Sequence, residues 1–472
     1  VVSVGALLAA PCFFRRLLIA LIVCATLIAS PVSAQPDAPT VPRFGVIGAN
    51  PPDDLGAGWQ EITFAWAAFQ PDGPQDFVED SVDPQVLQAA AAAGREVVGR
   101  IVSTPAWASA SGQPDGVPRG LALALRDPDN TWAAFVRRLA AEYAPRGVHR
   151  WIIYDQPNVH PGEGRVYFTG SVSEYAALLK TAFLAARSAD PEAAIHAAAP
   201  DWWADVYAGR EPYLKRLLDV LRLDPDCSAY GSYFDVAMLR VYDTTSTVWD
   251  LVTTTRALLD AAGFTGVAIW LETNAAPTLD PALDLIDPIF GISLDQQADF
   301  VVQAAALALA AGVERVAVPL DDDPSGLSPW GLIRDDASHR PAFEAYARVI
   351  DLFTPVQTAL RYTLPGVELI MLEDAEHDLY VLWASNVQPA QVLITSPSLD
   401  EPALLIQDQH ALLEKSGSAA WPAAFVIDAP GAVRDAHGFL TVAGSPRVLV
   451  LDKTDFFRVV YATVNGTTER LR

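Results

Sequence analysis

The chain has 472 residues, 51% of them hydrophobic, enough to bury at least one large core and to make two or three domains. Its formal net charge of -25 at pH 7 repels phosphate backbones and argues against a nucleic-acid partner. Three cysteines and seven scattered histidines, without His-x-x-x-His spacing, give no transition-metal signature.

Residues 1 to 34 have the pattern of an export signal: Arg15-Arg16, an apolar run from Leu17 to Ile28, then Val32-Ser33-Ala34 where a signal peptidase cuts. An uncleaved anchor is the other reading, but the apolar run falls short of the ~20 residues that a spanning helix needs. Nothing later in the sequence is long and apolar enough to span. Cleavage would remove two arginines and no acid, deepening the charge to about -27. It would also remove Cys12 and Cys24, leaving Cys227 alone and an intramolecular disulfide impossible, even in an oxidising compartment. The expected location is secreted, periplasmic or cell-surface. Residues 35 to 42 are a short Pro-rich linker.

From Arg43 onward strand, loop and helix repeat. Short β-rich runs lie at Phe44 to Ala49, Glu61 to Trp66, Glu96 to Ser103, His149 to Tyr154, Ala194 to Ala199, Asp235 to Tyr242, Gly266 to Leu271 and Glu314 to Leu320. Between most of them are Ala- and Leu-rich helical patterns: Val86 to Ala93, Asn130 to Tyr143, Ser173 to Ser188, Tyr213 to Leu221, Thr247 to Ala262 and Leu294 to Ala311. The alternation predicts an α/β fold with a parallel sheet covered by helices, and eight repeats favour a closed (β/α)8 barrel over residues 43 to 350. No Gly-x-Gly-x-x-Gly follows the first strand, so no nucleotide cofactor is expected. No Gly-x-Ser-x-Gly marks a serine hydrolase. After residue 350, seven short alternating runs separated by Pro, Gly, Asp and Asn predict an antiparallel β-sandwich: Val367 to Met371, Leu379 to Ser385, Ala390 to Thr395, Ala403 to Gln407, Ala424 to Ile427, Phe439 to Val442 and Arg447 to Leu451.

In such a barrel the site lies at the C-terminal ends of the strands. In order these ends carry Asn50, Trp66, Ser103-Thr104-Pro105-Ala106-Trp107, Asp155-Gln156-Pro157-Asn158, Pro200-Asp201-Trp202-Trp203, Arg240-Val241-Tyr242, Glu272-Thr273-Asn274 and Asp321-Asp322-Asp323. Aromatic rings among carboxylates and amides suit a sugar, whose ring faces pack on aromatics while its hydroxyls take polar partners. Trp66, Trp107, Trp202 and Trp203 are each either sugar platforms or core. The Asp321 to Asp323 run is either a calcium ligand set or a solvated turn.

Residues 43 to 350 resemble the clan A glycoside hydrolases, a superfamily of retaining β-xylosidases, β-glucosidases and cellulases, on several short motifs: Thr104-Pro105-Ala106-Trp107-Ala108-Ser109, the strand-four Asp155-Gln156-Pro157, the strand-seven Trp270-Leu271-Glu272, and Trp330-Gly331-Leu332-Ile333 with Arg340-Pro341-Ala342-Phe343. The resemblance implies a barrel with a trailing sandwich, a carbohydrate ligand and no cofactor. It also implies an acid/base glutamate within Asn-Glu-Pro after strand four and a nucleophile glutamate after strand seven. Glu272 occupies the second position, but the first holds Gln156, which cannot exchange a proton. Asp155, where the family has the amide that reaches the sugar 2-hydroxyl, is a candidate substitute; so are His160 and Glu163 in the loop beyond. Where the family often has His-x-Tyr after strand six, this chain has Arg240 and Tyr242. Tyr242 is expected to orient Glu272, and Arg240 either to hold Glu272 ionised or to form an ordinary buried ion pair. Asn158, Trp66, Trp107, Trp202 and Arg240 complete the expected sugar contacts. Two functions remain open: a retaining O-glycosyl hydrolase with altered acid/base machinery, or a catalytically silent carbohydrate-binding or scaffold protein.

Overall fold

The computed structural model describes residues 42–242, 244–283, 290–322, 329–395, 403–406, 424–453 and 460–471. The expected leader, and all of the linker before Pro42, lie outside these residues, as does Asp323. In chain order the elements are β1 (Phe44–Ile47), β2 (Trp59–Ala65), α1 (Pro84–Ala92), β3 (Glu96–Val102), α2 (Thr131–Tyr143), β4 (Val148–Ile153), α3 (Val172–Ala189), β5 (Ala194–Ala197), α4 (Trp202–Tyr207), α5 (Tyr213–Leu221), β6 (Val236–Tyr242), α6 (Ser246–Ala262), β7 (Ala268–Asn274), α7 (Leu294–Ala310), β8 (Arg315–Pro319) and α8 (Pro341–Phe353). Each of β1 to β8 pairs in parallel with the next, and β8 returns to β1 through Phe44 opposite Val316, so the sheet closes. The expected barrel is present, with α8 running three residues past position 350.

Local sequence explains the helix starts. The Asn130 side chain accepts from the Ala133 amide at 3.0 Å, and Ser171 with Glu174 and Ser293 with Gln296 form reciprocal capping boxes. Pro84 follows the Asp83 cap of α1, where its missing N–H leaves no orphan. Gly45 in β1 is needed because a Cβ there would collide with the Trp59 indole.

The lower end of the barrel is closed by charge and rings. Glu96 is gripped by Arg150 and, at 2.7 Å, by Arg315. The two guanidiniums lie 5.3 and 4.4 Å from the Trp270 ring, which His196 meets edge-on at 4.5 Å. This network fills the N-terminal end of the barrel, opposite the strand ends where a site is expected.

Beyond α8 come β9 (Thr358–Leu364), β10 (Val367–Glu373), β11 (His377–Ala384), β12 (Ala390–Thr395), β13 (Ala403–Ile406), β14 (Ala424–Ala429), β15 (Arg447–Asp452), β16 (Tyr461–Val464) and β17 (Thr467–Arg470). They form two antiparallel sheets, β13-β15-β11-β10-β9 and β14-β12-β16-β17, around a core that includes Leu369, Tyr380, Val392, Ile427 and Ala462. Ile370, Leu372 and Trp383 join the barrel core instead, and Gln303 of α7 donates to the Gly444 carbonyl at 2.8 Å. The expected sandwich is therefore present, with two corrections. Phe439 to Val442 is loop, its backbone used by the Asp435 turn, and there are further strands at Thr358, Tyr461 and Thr467, the first with three exposed positions and the last exposed throughout, which hides them from a reading of half-buried runs.

Candidate active site at the barrel mouth

Five charged side chains meet at the C-terminal end of the barrel. Alternation along the strands turns Glu61 of β2, Arg100 of β3, Arg240 of β6 and Glu272 of β7 inward, and Asp155 follows two residues after β4. Arg100 is the hub. Its Nε and Nη2 donate to the two Glu61 oxygens at 2.6 and 3.0 Å, Nη1 donates to Asp155 Oδ1 at 3.0 Å, and Nη2 also donates to Glu272 Oε1. Arg240 closes the other side, with Nε and Nη2 at 2.9 and 2.6 Å from Glu272 Oε2 and Nη2 at 3.0 Å from Asp155 Oδ1. Glu272, 0% exposed, thus has a guanidinium on each oxygen.

Three carboxylates share two guanidiniums, so the fully ionised cluster carries one surplus negative charge. Burial pushes the Glu272 carboxyl up, but Arg100 and Arg240 outweigh it and hold the group below the usual range. Burial also raises Glu61, and here Arg100 alone cannot compensate, because Glu272 and Asp155 add repulsion. Of the two glutamates, Glu61 is therefore the one that keeps its proton to higher pH. Burial opposes the charge on Arg100 and Arg240 as well, yet the surrounding carboxylates hold both well above the ordinary arginine value.

The sign of a pH effect follows. A raised folded-state value means that Glu61 keeps its proton where the unfolded chain has lost it, so its contribution to stability falls as pH rises from the ordinary 4.5 through the raised value. Glu272 acts oppositely, losing stability as pH drops through its lowered value. Glu61→Gln is expected to remove the first slope from a plot of unfolding free energy against pH and to retain the second; an unchanged plot would refute the assignment.

The backbone around the cluster is unusual. Asn50, Ser103, Tyr154 and Gln156, at the ends of β1, β3 and β4, have φ of 55, 65, 67 and 36°, a region that non-glycine residues enter at a cost of about 1–3 kcal/mol each. Side chains hold the strain in place: Tyr154 and Thr104 share a hydroxyl hydrogen bond, and the Tyr175 hydroxyl donates to the Ile153 carbonyl at 2.8 Å. Such strain at strand ends is a common mark of a site.

Of the expected residues, Asp155, Arg240 and Glu272 come together, with Gln156 next to them in the half-buried turn. Others take different roles. The Glu272 oxygens are bonded to arginines, and the Tyr242 ring lies 4.5 Å from Trp330 at 31°, the pair half-buried. Trp66 is no sugar platform: a helical turn, Trp66–Phe69, carries it under α2, fully buried and stacked 4.8 Å from Phe135. Trp107 meets Trp66 edge-on and donates to the Gln70 carbonyl at 2.7 Å, which ties it to the β2 loop. Asn158 is spent on structure, donating to the Asp201 carbonyl at 2.7 Å and accepting from the Asp201 amide at 2.8 Å. Trp202 packs inward against the core beside Pro200 and Tyr213. Glu163 does not reach the mouth: Arg210 binds both its oxygens at 2.6 and 3.0 Å and, with the His160 amide, holds it down at about 2. Asp322 is paired bidentately with Arg340 at 2.7 Å, and among the described residues no cluster of three or more His, Cys, Asp or Glu is placed to hold a metal ion.

Glu61 and Arg100 were not among the expected site residues. Their signal was present in Glu96-Val97-Val98-Gly99-Arg100-Ile101-Val102: an arginine inside a buried strand requires an acidic partner across the barrel. Tyr167, in the loop after β4, also belongs here. Burial and the neighbouring Asp155 raise its phenol, and Arg165 lies over its ring at 4.8 Å.

No protein-family model matches the chain, and no curated protein does. Solved structures do match. A family 39 glycoside hydrolase from the gut symbiont Bacteroides cellulosilyticus WH2 aligns with a TM-score of 0.61 at 15% identity, over 87% of this chain and 80% of that one. A glucosidase from Croceicoccus marinus gives 0.56 at 12% identity, covering 88% and 97%. A family 30 subfamily 8 xylanase from Clostridium acetobutylicum gives 0.56 at 11% identity, again covering 88% and 97%. The chain therefore shares its fold, a (β/α)8 barrel followed by a β-sandwich, with glycoside hydrolases.

Proposed function

We propose that this protein binds a carbohydrate at the barrel mouth and that retaining hydrolysis there is switched off. The carrying observation is the state of Glu272: both oxygens are in salt bridges, Arg100 on one and Arg240 on the other. A carboxylate so held is a poor nucleophile, because attack would strip the negative charge that two buried guanidiniums balance. At the position where the resemblance implies the acid/base, Gln156 has no proton to exchange. The Tyr242 and Trp330 rings offer the apolar face on which a sugar ring packs, with Tyr167 and Asp155 as polar partners. The leader-like sequence supports export, which would place the ligand outside the cytoplasm.

The hydrolase reading has one observation in its favour. Asp155 and Glu272 bind adjacent nitrogens of the same Arg100, so two carboxylates do share the site, and a retaining enzyme needs a pair about 5–5.5 Å apart. In that reading Asp155 protonates the leaving group.

Calorimetric titration with a panel of neutral mono- and oligosaccharides tests the binding reading. At least one is expected to bind, and Trp330→Ala is expected to weaken it by about 1–2 kcal/mol, the scale of one aromatic contact. Absence of binding by any of them, or affinity indifferent to Trp330, would reject it.

A further inference from the structure

Helix α4, Trp202–Tyr207, is amphipathic in the reverse sense. Its inward side carries the half-buried Trp202 and a fully buried acid, Asp205, held by Arg210 Nε at 2.8 Å, Arg216 Nη2 at 2.9 Å and the Tyr213 amide at 2.8 Å. Its outer stripe, positions 203, 206 and 207, carries Trp203, Val206 and Tyr207, exposed to 43, 49 and 85%. The two rings are 6.2 Å apart and tilted by 33°. In an ordinary surface helix the apolar stripe faces the core and the charges face water. Here a set of salt bridges fixes the helix with its aromatic stripe outward, and an apolar patch held open in this way marks an interaction surface.

Position narrows the partner. α4 leaves the C-terminal end of β5, the same barrel end that carries the charged cluster. The Asn158 clamp joins its cap residue Asp201 to the turn containing Asp155 and Gln156, and Arg210 extends from Asp205 to the Asn158 carbonyl at 3.3 Å. These bonds tie the start of α4 to the turn that borders the mouth. The chain's net charge of -25 disfavours an anionic polymer, whereas neutral sugar rings present C–H faces that suit exposed indole and phenol rings.

We propose that Trp203 and Tyr207 form a second aromatic platform, which holds a neutral polysaccharide chain where it leaves the mouth. The inference rests on the carbohydrate reading of the mouth and adds to it the ligand class: a polymer longer than the mouth alone would hold. Binding of neutral polysaccharides (xylan, mixed-linkage glucan, galactomannan) by affinity electrophoresis, and of their di- and trisaccharides by calorimetry, should be compared between the full chain and Trp203→Ala/Tyr207→Ala. Both positions are exposed, so the variant should fold normally, which its melting temperature checks. The expected result is polysaccharide affinity lowered about tenfold or more with short-sugar affinity unchanged. Unchanged polysaccharide affinity would overturn the platform alone, as would an equal loss for short sugars or a change of oligomeric state in sedimentation. Failure of the unaltered chain to bind any sugar would overturn the mouth reading and the platform with it.

Discussion

Arg100→Ala is expected to destabilise the protein by about 3–5 kcal/mol, because it leaves buried carboxylates facing one another without their shared cation. The magnitude follows from the bonding pattern. Arg100 touches Glu61, Asp155 and Glu272, whereas Arg240 touches only the last two. Without Arg100, Glu61 loses its cation, and the rest of the cluster carries two acids on one guanidinium. Arg100→Lys should recover only part of the loss, since an ammonium cannot match four bonds made from one planar group. Adding Glu61→Gln to Arg100→Ala should restore some stability, as it removes a carboxyl that has lost its partner. Equilibrium unfolding in urea measures all of these variants. A cost for Arg100→Ala below about 1 kcal/mol, the value of an exposed ion pair, would mean that the cluster is not the organising feature of the mouth.

The second large effect concerns chemistry. If hydrolysis is blocked at both positions, one change should not restore it. Gln156→Glu alone supplies a proton donor but leaves Glu272 between two guanidiniums. Combining it with Arg240→His frees Glu272 Oε2 and restores the strand-six pattern of the clan A enzymes that this sequence resembles. The double variant is expected to hydrolyse glycosides with unactivated leaving groups about 10²–10⁴ times faster than Arg240→His alone, the range that a positioned acid/base contributes, and faster than Gln156→Glu alone, whose Glu272 is still held on both oxygens. Equal activity in Gln156→Glu alone would show that Arg240 does not restrain Glu272.

How much of this could be read in the sequence depended on the physical origin of each feature. The barrel was legible because strand and helix periodicities alternate eight times, and local caps such as Ser171 with Glu174 agree with the pattern. Asp155, Arg240 and Glu272 were legible because strand ends define the mouth. Arg100 and Glu61 sit deeper in their strands, and a charge there is informative only once the partner strand is known. The opposite error arose at Trp66, where a strand end turns abruptly into a helical turn and carries its indole under α2, a change of direction that no periodicity records. Trp202 and Trp203 are adjacent in sequence, yet the first packs against the core and the second is exposed; Asp205, drawn inward by Arg210 and Arg216, sets how α4 is turned. Asn158 looked like a sugar contact because amides are common at such sites, but its partner is backbone 43 residues away.

In the proposed function Glu272 is held too firmly to attack a glycoside. The most direct measurement is turnover of dinitrophenyl glycosides by the unaltered protein beside Glu272→Gln, since so good a leaving group needs no acid and exposes the nucleophile alone. Equal, background rates are expected for the two proteins; turnover that disappears in Glu272→Gln would contradict this and make the protein a working hydrolase.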